Sequence, residues 1–370
     1  MRKDLLRRSI RGALILGLSA VGASAQAENW ADRTTFHGFM STRYSVTDSP
    51  LYFEDTRDNN GINEDGSFYG TKFGLNVTSV VSEQMTVAAQ MISAIQEDNY
   101  HTHLDWAFAR FNLSDAFAVR AGKIKYPVGI VNEYVDVGVS YPWIQPPLVI
   151  YSESASGPQA TRESYTGADV LWNTVSGDWT FGADLFSGQV DLTGMTIKKM
   201  VGLTARADWN DAVMVQASHY TGDMAPDDPM SMMGMMMDGK SHSATVAGVK
   251  MDWHNIVAYA ESAKVKMDVK MMGITPMNSD SWYATLGYRF MGRYLPHYTY
   301  QKWDQDDGDG QEISTIGFNY SVSTNAVVKL EYSNIKTDGT GLFVDSSVPP
   351  VPTAPGGDVK MTSVAVDVVF

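Results

Sequence analysis

The sequence predicts an antiparallel transmembrane β-barrel of about sixteen strands, and three observations point to it. An N-terminal export-type leader is followed by no apolar run close to the roughly 18 residues that a membrane helix needs. Beyond it, segments of about ten residues alternate apolar and polar side chains. The connections between those segments alternate short and long. A chain that crosses lipid without helices must pair all its backbone groups, which only a closed sheet allows.

The leader has a basic start, MRKDLLRRSIRG, then the short apolar run ALILGLSAVG, then small residues in ASAQA. The apolar run is too short to span a bilayer, so this reads as a signal peptide, cut after Ala25 or Ala27. Ala27 is the favoured last residue. Residues 1–27 are thus the leader, and residues 28–370 are a single barrel domain.

Strand faces follow from a period of two. SFYGTKFGLNVTSVV sets Tyr69, Phe73, Leu75 and Val77 against Lys72, Gly74, Asn76 and Thr78. SWYATLGYRF sets Trp282, Ala284, Leu286, Tyr288 and Phe290 against Tyr283, Thr285, Gly287 and Arg289. EISTIGFNYSV and AVVKLEYSN repeat the rhythm, with Ile316, Phe318, Leu330 and Tyr332 on the apolar side. The apolar face is aromatic near strand ends, as an interfacial girdle requires. The other face is polar in strand after strand, as a wet interior requires.

Short turns fall at Val81–Gln84, Leu113–Ala116, Val175–Asp178, Trp209–Asp211, His254-Asn255, Met291–Arg293 and Ser323–Asn325. Longer connections are expected over 47–66, 97–101, 127–164, 188–196, 222–241, 267–279, 303–311 and 337–357. Prolines gather in the long connections, where no ladder hydrogen bond is lost. Pro296, near the start of its strand, is the exception.

Composition removes other classes. With no cysteine there is no disulfide, thiolate metal site or thiol catalysis. A net charge of -14 opposes nucleic-acid binding, which needs a basic surface. No G-x-S-x-G, H-E-x-x-H or phosphate loop occurs, so the chain reads as a non-enzyme without a cofactor.

The closing stretch VKMTSVAVDVVF alternates Val364, Val366, Val368 and Phe370 against Ser363, Ala365 and Asp367, and ends on an aromatic. This resembles the last strand of Gram-negative outer-membrane proteins. FHGFMSTRY resembles a porin first strand, and VRAGKIKYPVG resembles the strand before the third loop of general and phosphate-selective porins. The resemblance to the porin superfamily implies a trimeric diffusion channel in outer-membrane lipid and lipopolysaccharide. It implies a third extracellular loop folded into the lumen and small hydrophilic solutes as cargo.

Tyr126–Ser164 is the longest connection and follows the fifth strand, so it is that third outer loop. A barrel of this size leaves an aqueous lumen for it to narrow. Glu133, Asp136 and Glu153 would bring its acidic groups. Strand phase puts Lys72, Arg120, Arg206, Lys250, Arg289 and Lys329 inside, with Asp105, Asp169, Asp184 and Glu331. Lys123 and Lys125 stand where the fifth strand meets the loop. Facing acidic and basic groups would set a transverse field that filters ions.

Two features lie outside the wall. WDQDDGDGQE carries carboxylates at a spacing that suits a hard cation but matches no EF-hand, and reads as a solvated acidic loop. The other is MSMMGMMMDGK, in the fifth outer loop, with Met271, Met272 and their neighbours in the sixth. Thioethers suit Cu(I) or Ag(I), which makes Met232, Met233, Met235 and Met237 candidate ligands, assisted by His219 and His242. The bland reading is an adaptable packing surface. The function that results is a porin for small hydrophilic solutes and ions. The alternatives are a selective or soft-metal-binding barrel, and a surface receptor or adhesin.

Overall fold

A computed structural model describes residues 30–54, 61–96, 99–152, 160–161, 163–192, 194–270, 275, 277–344 and 354–370. The expected leader, Glu153, Met271 and Met272 lie outside the described residues. The strands are β1 Thr34–Thr47, β2 Tyr52–Phe53, β3 Lys72–Val80, β4 Met85–Gln96, β5 Asn99–Asn112 and β6 Phe117–Lys125. They continue with β7 Ser164–Ser176, β8 Trp179–Leu192, β9 Met195–Trp209, β10 Val213–Pro226, β11 Ser241–Trp253 and β12 Ile256–Met267. The last are β13 Ser279–Tyr288, β14 Tyr294–Gln305, β15 Gly310–Ser323, β16 Ala326–Asp338, β17 Phe343–Val344 and β18 Val359–Val369.

All but β2 and β17 form one closed antiparallel barrel of sixteen strands. Neighbours in the barrel are neighbours in sequence, except at the seam, where β1 pairs with both β3 and β18. The terminal residue locks that seam: Phe370 N–H donates to Gly38 O at 2.9 Å and Gly38 N–H to Phe370 O at 2.8 Å. The Phe370 ring then lies over the Gly38 α-carbon, where a Cβ would stand 2.4 Å from it.

The apolar phase faces outward. Phe73, Trp282, Leu286, Ile316, Leu330 and Val366 are exposed, while their polar strand neighbours Thr285, Thr315, Lys329 and Ser363 are buried. Exposed aromatics crowd the short-turn rim, with Phe117, Trp179, Trp253, Tyr288 and Phe370 at strand ends. So broad an outward apolar surface needs a nonpolar surrounding. The short turns form as their chemistry requires. His254 and Asn255 both have positive φ, 48° and 76°, and join Trp253 to Ile256 as a two-residue hairpin loop matched to strand twist.

Three connections expected to be long are short. β4 and β5 are joined by two residues, β8 and β9 by two, and β14 and β15 by four. The strands outrun their apolar segments there, because a backbone ladder continues without apolar side chains once the sequence alternation ends. A register shift between Gly188 and Val190 accompanies the β8–β9 extension. Across the seam, β2 and β17 pair as a separate two-stranded sheet over Ile62, Leu148, Ile313 and Ile335. The main apolar cluster joins inward side chains of β8–β14 to residues of the segment between β6 and β7.

Candidate functional site

The candidate site is that segment and the inner wall it meets. It holds two 3₁₀ turns, Asn132–Tyr134 and Gly138–Ser140, and one helical turn, α1, Leu148–Tyr151. Tyr126 N–H donates to Glu163 O at 3.0 Å, and the Asn132 amide donates to Tyr126 O at 2.7 Å. Tyr126 also sets its ring among Tyr165, Phe186 and Tyr220 at 5.3–5.9 Å. These contacts fix the root of the segment at the end of β6.

From that root the segment's backbone is held by the wall, strand by strand. Thr204 on β9 donates to Pro127 O at 2.7 Å, and Gln216 on β10 to Gly129 O at 3.1 Å. Glu261 on β12 accepts from Ile130 N–H at 2.7 Å, Tyr151 OH at 2.5 Å and Tyr283 OH at 2.8 Å. The Trp143 indole donates to Thr285 at 2.9 Å and Thr299 at 3.0 Å. Asn319 on β15 donates to Pro142 O at 2.7 Å, and Glu331 on β16 accepts from Ile144 N–H at 2.9 Å. The Lys329 ammonium donates to Gly138 O, Tyr141 O and Trp143 O at 2.7, 3.0 and 2.5 Å. Gln145 bridges Arg43 and Glu54. Irregular backbone has no ladder of its own, so these side chains satisfy groups that would otherwise be buried unpaired.

Two charge groups flank the segment. In one, Asp136 accepts from Lys72 at 2.6 Å and Lys125 at 2.7 Å, and Lys125 also pairs with Asp105 at 3.0 Å. Carboxylate oxygens of Asp105, Asp136 and Glu163 lie within 4.8 Å of one another. The Lys125 ammonium sits among them and supplies the positive charge. Burial alone would push the Asp136 carboxyl up, but Lys125 and Lys72 hold it well below the ordinary carboxylate range. In the other group, Arg120 grips Asp169 with two guanidinium nitrogens, at 3.1 and 2.7 Å. Arg206 stands 3.3 Å from Glu133 and 4.0 Å from Asp184. Elsewhere burial raises the Glu54 carboxyl despite neighbouring Arg43. It raises the phenols of Tyr126, Tyr134, Tyr141 and Tyr151 as well.

No family model matches the chain, and no curated protein matches it. Solved structures do. An anion-selective porin from Comamonas acidovorans matches 91% of this chain and 99% of its own, at TM-score 0.59 and 13% identity. OmpF of Salmonella typhi, in complex with daunomycin, matches 91% and 97%, at 0.58 and 14%. The trimer form of OmpT, an outer membrane protein of Vibrio cholerae, matches 92% and 100%, at 0.58 and 12%. The chain has the fold of a Gram-negative outer-membrane porin.

Within that porin fold, the residues singled out by strand phase separate clearly. Lys72, Asp105, Lys125 and Asp136 come together, as do Arg120, Glu133, Asp169, Asp184 and Arg206. Lys250 reaches the Tyr134 hydroxyl at 3.2 Å, and Lys329 and Glu331 hold the 138–144 backbone. Arg289 instead pairs with Asp252 at 2.8 Å, near the short-turn rim and away from the segment. Lys123 is the correction. It pairs in register with outward-phase Ala107 and donates to Leu104 O at 2.6 Å, whereas Lys125, of the same phase, is the last residue of β6 and turns in to Asp105 and Asp136.

Several participants were not among the candidate site residues. Arg43 pairs with Glu54, Gln90 donates to Asp105, Arg110 lies opposite Arg120, and Glu261, Asn319 and Asp367 meet the segment or Lys329. The acidic 304–309 loop is tied into its neighbours: Asp309 accepts from Gly341 N–H and Thr340, and Asp306 from Thr275. In the methionine loop Met232–Met237 forms a short helix, α2, capped by Ser231, which accepts from Gly234 N–H at 2.9 Å. Met232, Met233 and Met235 are exposed on it, and Met237 is buried. His219 faces outward beside Thr245, whereas His242 is buried on the inward side.

Proposed function

We propose that the chain forms a water-filled channel across a Gram-negative outer membrane and passes small hydrophilic solutes and ions by passive diffusion. The observation that carries this reading is the set of hydrogen bonds between residues 127–143, backbone groups and the Trp143 indole, and inward side chains of β9, β10 and β12–β16. Partners spread so far around one barrel support a segment that partly partitions the lumen. It acts as a constriction whose exposed edge carries Glu133.

The mechanism is filtration by size and charge. Acidic and basic groups face one another across short distances at Lys72–Asp136 and Arg206–Glu133. The Lys72–Asp136 contact pair holds the segment in place, whereas the part-exposed Arg206 and Glu133 lie where a passing solute would meet their charge. Neither sign dominates by much, with four basic residues against five carboxylates in the two groups, which favours weak over strong ion selectivity. The outward apolar band supports a lipid setting, with lipopolysaccharide at the outer leaflet. The trimer form of the Vibrio cholerae neighbour supports a homotrimer. Residues 1–27 would direct export and be removed. Nothing in this scheme calls for bond chemistry, and the chain works as a non-enzyme.

Purified full-length protein added to a planar lipid bilayer should give stepwise conductance increments. Complete absence of steps from correctly folded barrel would overturn the proposal. Reversal potentials under a salt gradient would then measure the ion preference.

A further inference from the structure

His242 makes none of the hydrogen bonds that hold the segment. It is the second residue of β11, fully buried, and neither ring nitrogen has a hydrogen-bond partner among the described residues. A neutral imidazole carries one N–H and one lone pair, and a buried one ordinarily satisfies both. The ring stacks on Tyr220, with centroids 5.6 Å apart and planes 16° from parallel. That contact covers a face of the ring and leaves the in-plane nitrogens unanswered.

The register shows what surrounds them. His242 lies directly opposite Met267 on β12. On β10 it lies opposite Gly222, which puts Met224 at the diagonal position on the same face, next to Lys240, whose carbonyl accepts from Met224 N–H. Directly opposed residues have Cβ atoms about 5 Å apart and diagonal ones about 7 Å, within reach of long side chains. Met224 and Met267 are both buried, at 1% and 5% exposure. Met237 is buried in the same apolar cluster, where α2 turns back into β11 and its carbonyl accepts from Lys240 N–H at 2.9 Å. Thioethers donate no proton, so none can answer the imidazole lone pair. A soft monovalent cation can answer the nitrogen and the sulfurs together.

We propose that His242, Met224 and Met267, with Met237 as a further sulfur, form a binding site for Cu(I) or Ag(I) beneath the methionine helix. One imidazole nitrogen and the thioethers supply the ligands. Hard cations are disfavoured, because the site offers no oxygen cluster. The exposed Met232, Met233 and Met235 are not its ligands; they lie on the solvent side of α2. The site is independent of whether the barrel conducts.

The test is an anaerobic titration of the folded full-length protein with Cu(I), in competition with a chromophoric Cu(I) chelator, and with Ag(I) by calorimetry. One saturable equivalent is expected, with no comparable response to Ca²⁺. His242→Leu should weaken binding about 100-fold or more, as loss of a ligand does. Met224→Leu/Met267→Leu should do the same with little change in volume. The double variant serves where His242→Leu fails to fold, with barrel closure checked by heat-modified gel migration. Met232→Leu/Met233→Leu/Met235→Leu should bind as the wild type does. X-ray absorption of the loaded protein should report mixed nitrogen and sulfur neighbours. No saturable binding by the wild type overturns the proposal. So does binding that survives the buried double variant, or binding lost in the exposed triple variant.

Discussion

Lys329 on β16 and Asp367 on β18 form an ion pair of 3.0 Å with both side chains almost wholly buried. The same ammonium caps three backbone carbonyls of the segment and stands 4.8 Å from the Tyr141 ring centroid. Gly138 approaches so closely that a Cβ there would stand 2.4 Å from the Asp367 carboxyl. One cation thus binds the last strand and the segment at a single point.

Replacing that cation should loosen both. Lys329→Met strands a buried carboxylate, which costs about 3–5 kcal/mol when one partner of a buried pair is removed. The expected outcome is a lower heat-modification temperature together with larger, noisier conductance steps. Wild-type values for both measurements would refute the tether.

Trp143 anchors the middle of the segment through Thr285 and Thr299 and meets the Tyr259 and Tyr283 rings edge-on, at 4.8 and 5.6 Å. Trp143→Ala removes those contacts at a cost of about 3–5 kcal/mol, typical of a buried Trp. The segment should then be cut by chymotrypsin faster than in the wild type while the barrel stays closed. Unchanged cleavage would show that Trp143 does not hold it.

The Asp136 carboxyl, held low by Lys125 and Lys72 against the effect of burial, sets a pH dependence. A depressed carboxyl contributes stability that is fully present above its unfolded value and is lost as pH falls through its folded value. The Asp136 contribution should therefore persist through mild acid and fail only below the ordinary carboxyl value of 3.8. Conductance recorded while pH is lowered, for wild type and Asp136→Asn, checks this. The difference between them should stay constant down to pH of about 4. A wild-type transition near pH 6 that Asp136→Asn abolishes would contradict it.

Glu133 is half-exposed beside Arg206 at the edge of the segment. Glu133→Gln removes one negative charge from that edge and leaves Arg206 facing Asp184 at 4.0 Å. Reversal potentials should shift toward anions, modestly, and more at low than at high salt because screening weakens exposed charge. A shift toward cations would rule out this position for Glu133 in the ion path.

At the seam, Gly38→Val drives a side chain into the Phe370 ring. Overpacking of this kind costs about 1–3 kcal/mol. The folded barrel should unfold at a lower temperature than wild type, and Gly38→Val/Phe370→Ala should recover part of the loss. Absence of any recovery would separate the effect from the ring.

The wall was legible because it is periodic. Leu286, Ile316 and Val366 face out and Thr285, Thr315 and Ser363 face in, as alternation about a pleated strand demands. The two-residue turn at His254-Asn255 was legible because few residues accept positive φ. Strand ends such as β8 at Leu192 were not, because pairing continues where the apolar pattern stops. Lys123 and Lys125 share a phase, yet only Lys125, at the end of β6, reaches the buried carboxylates, so neither phase nor proximity to the segment separated them. The partners of the segment were least legible. Which carbonyl Lys329 caps, or that Glu261 meets Ile130, obeys no period, since irregular backbone is satisfied wherever the wall happens to offer a group. His242 and Met267 were each visible as residues, and only strand register sets them side by side.

The bonds from Asn319, Lys329 and Glu331 to residues 138–144 also fix an order of events. They join positions more than 170 residues apart in sequence. No such bond can form until nearly the whole chain has been delivered, and contacts at such separation are the slow ones in folding. Until then the segment has no anchors in the last strands of the wall. Docking is therefore a late step in assembly.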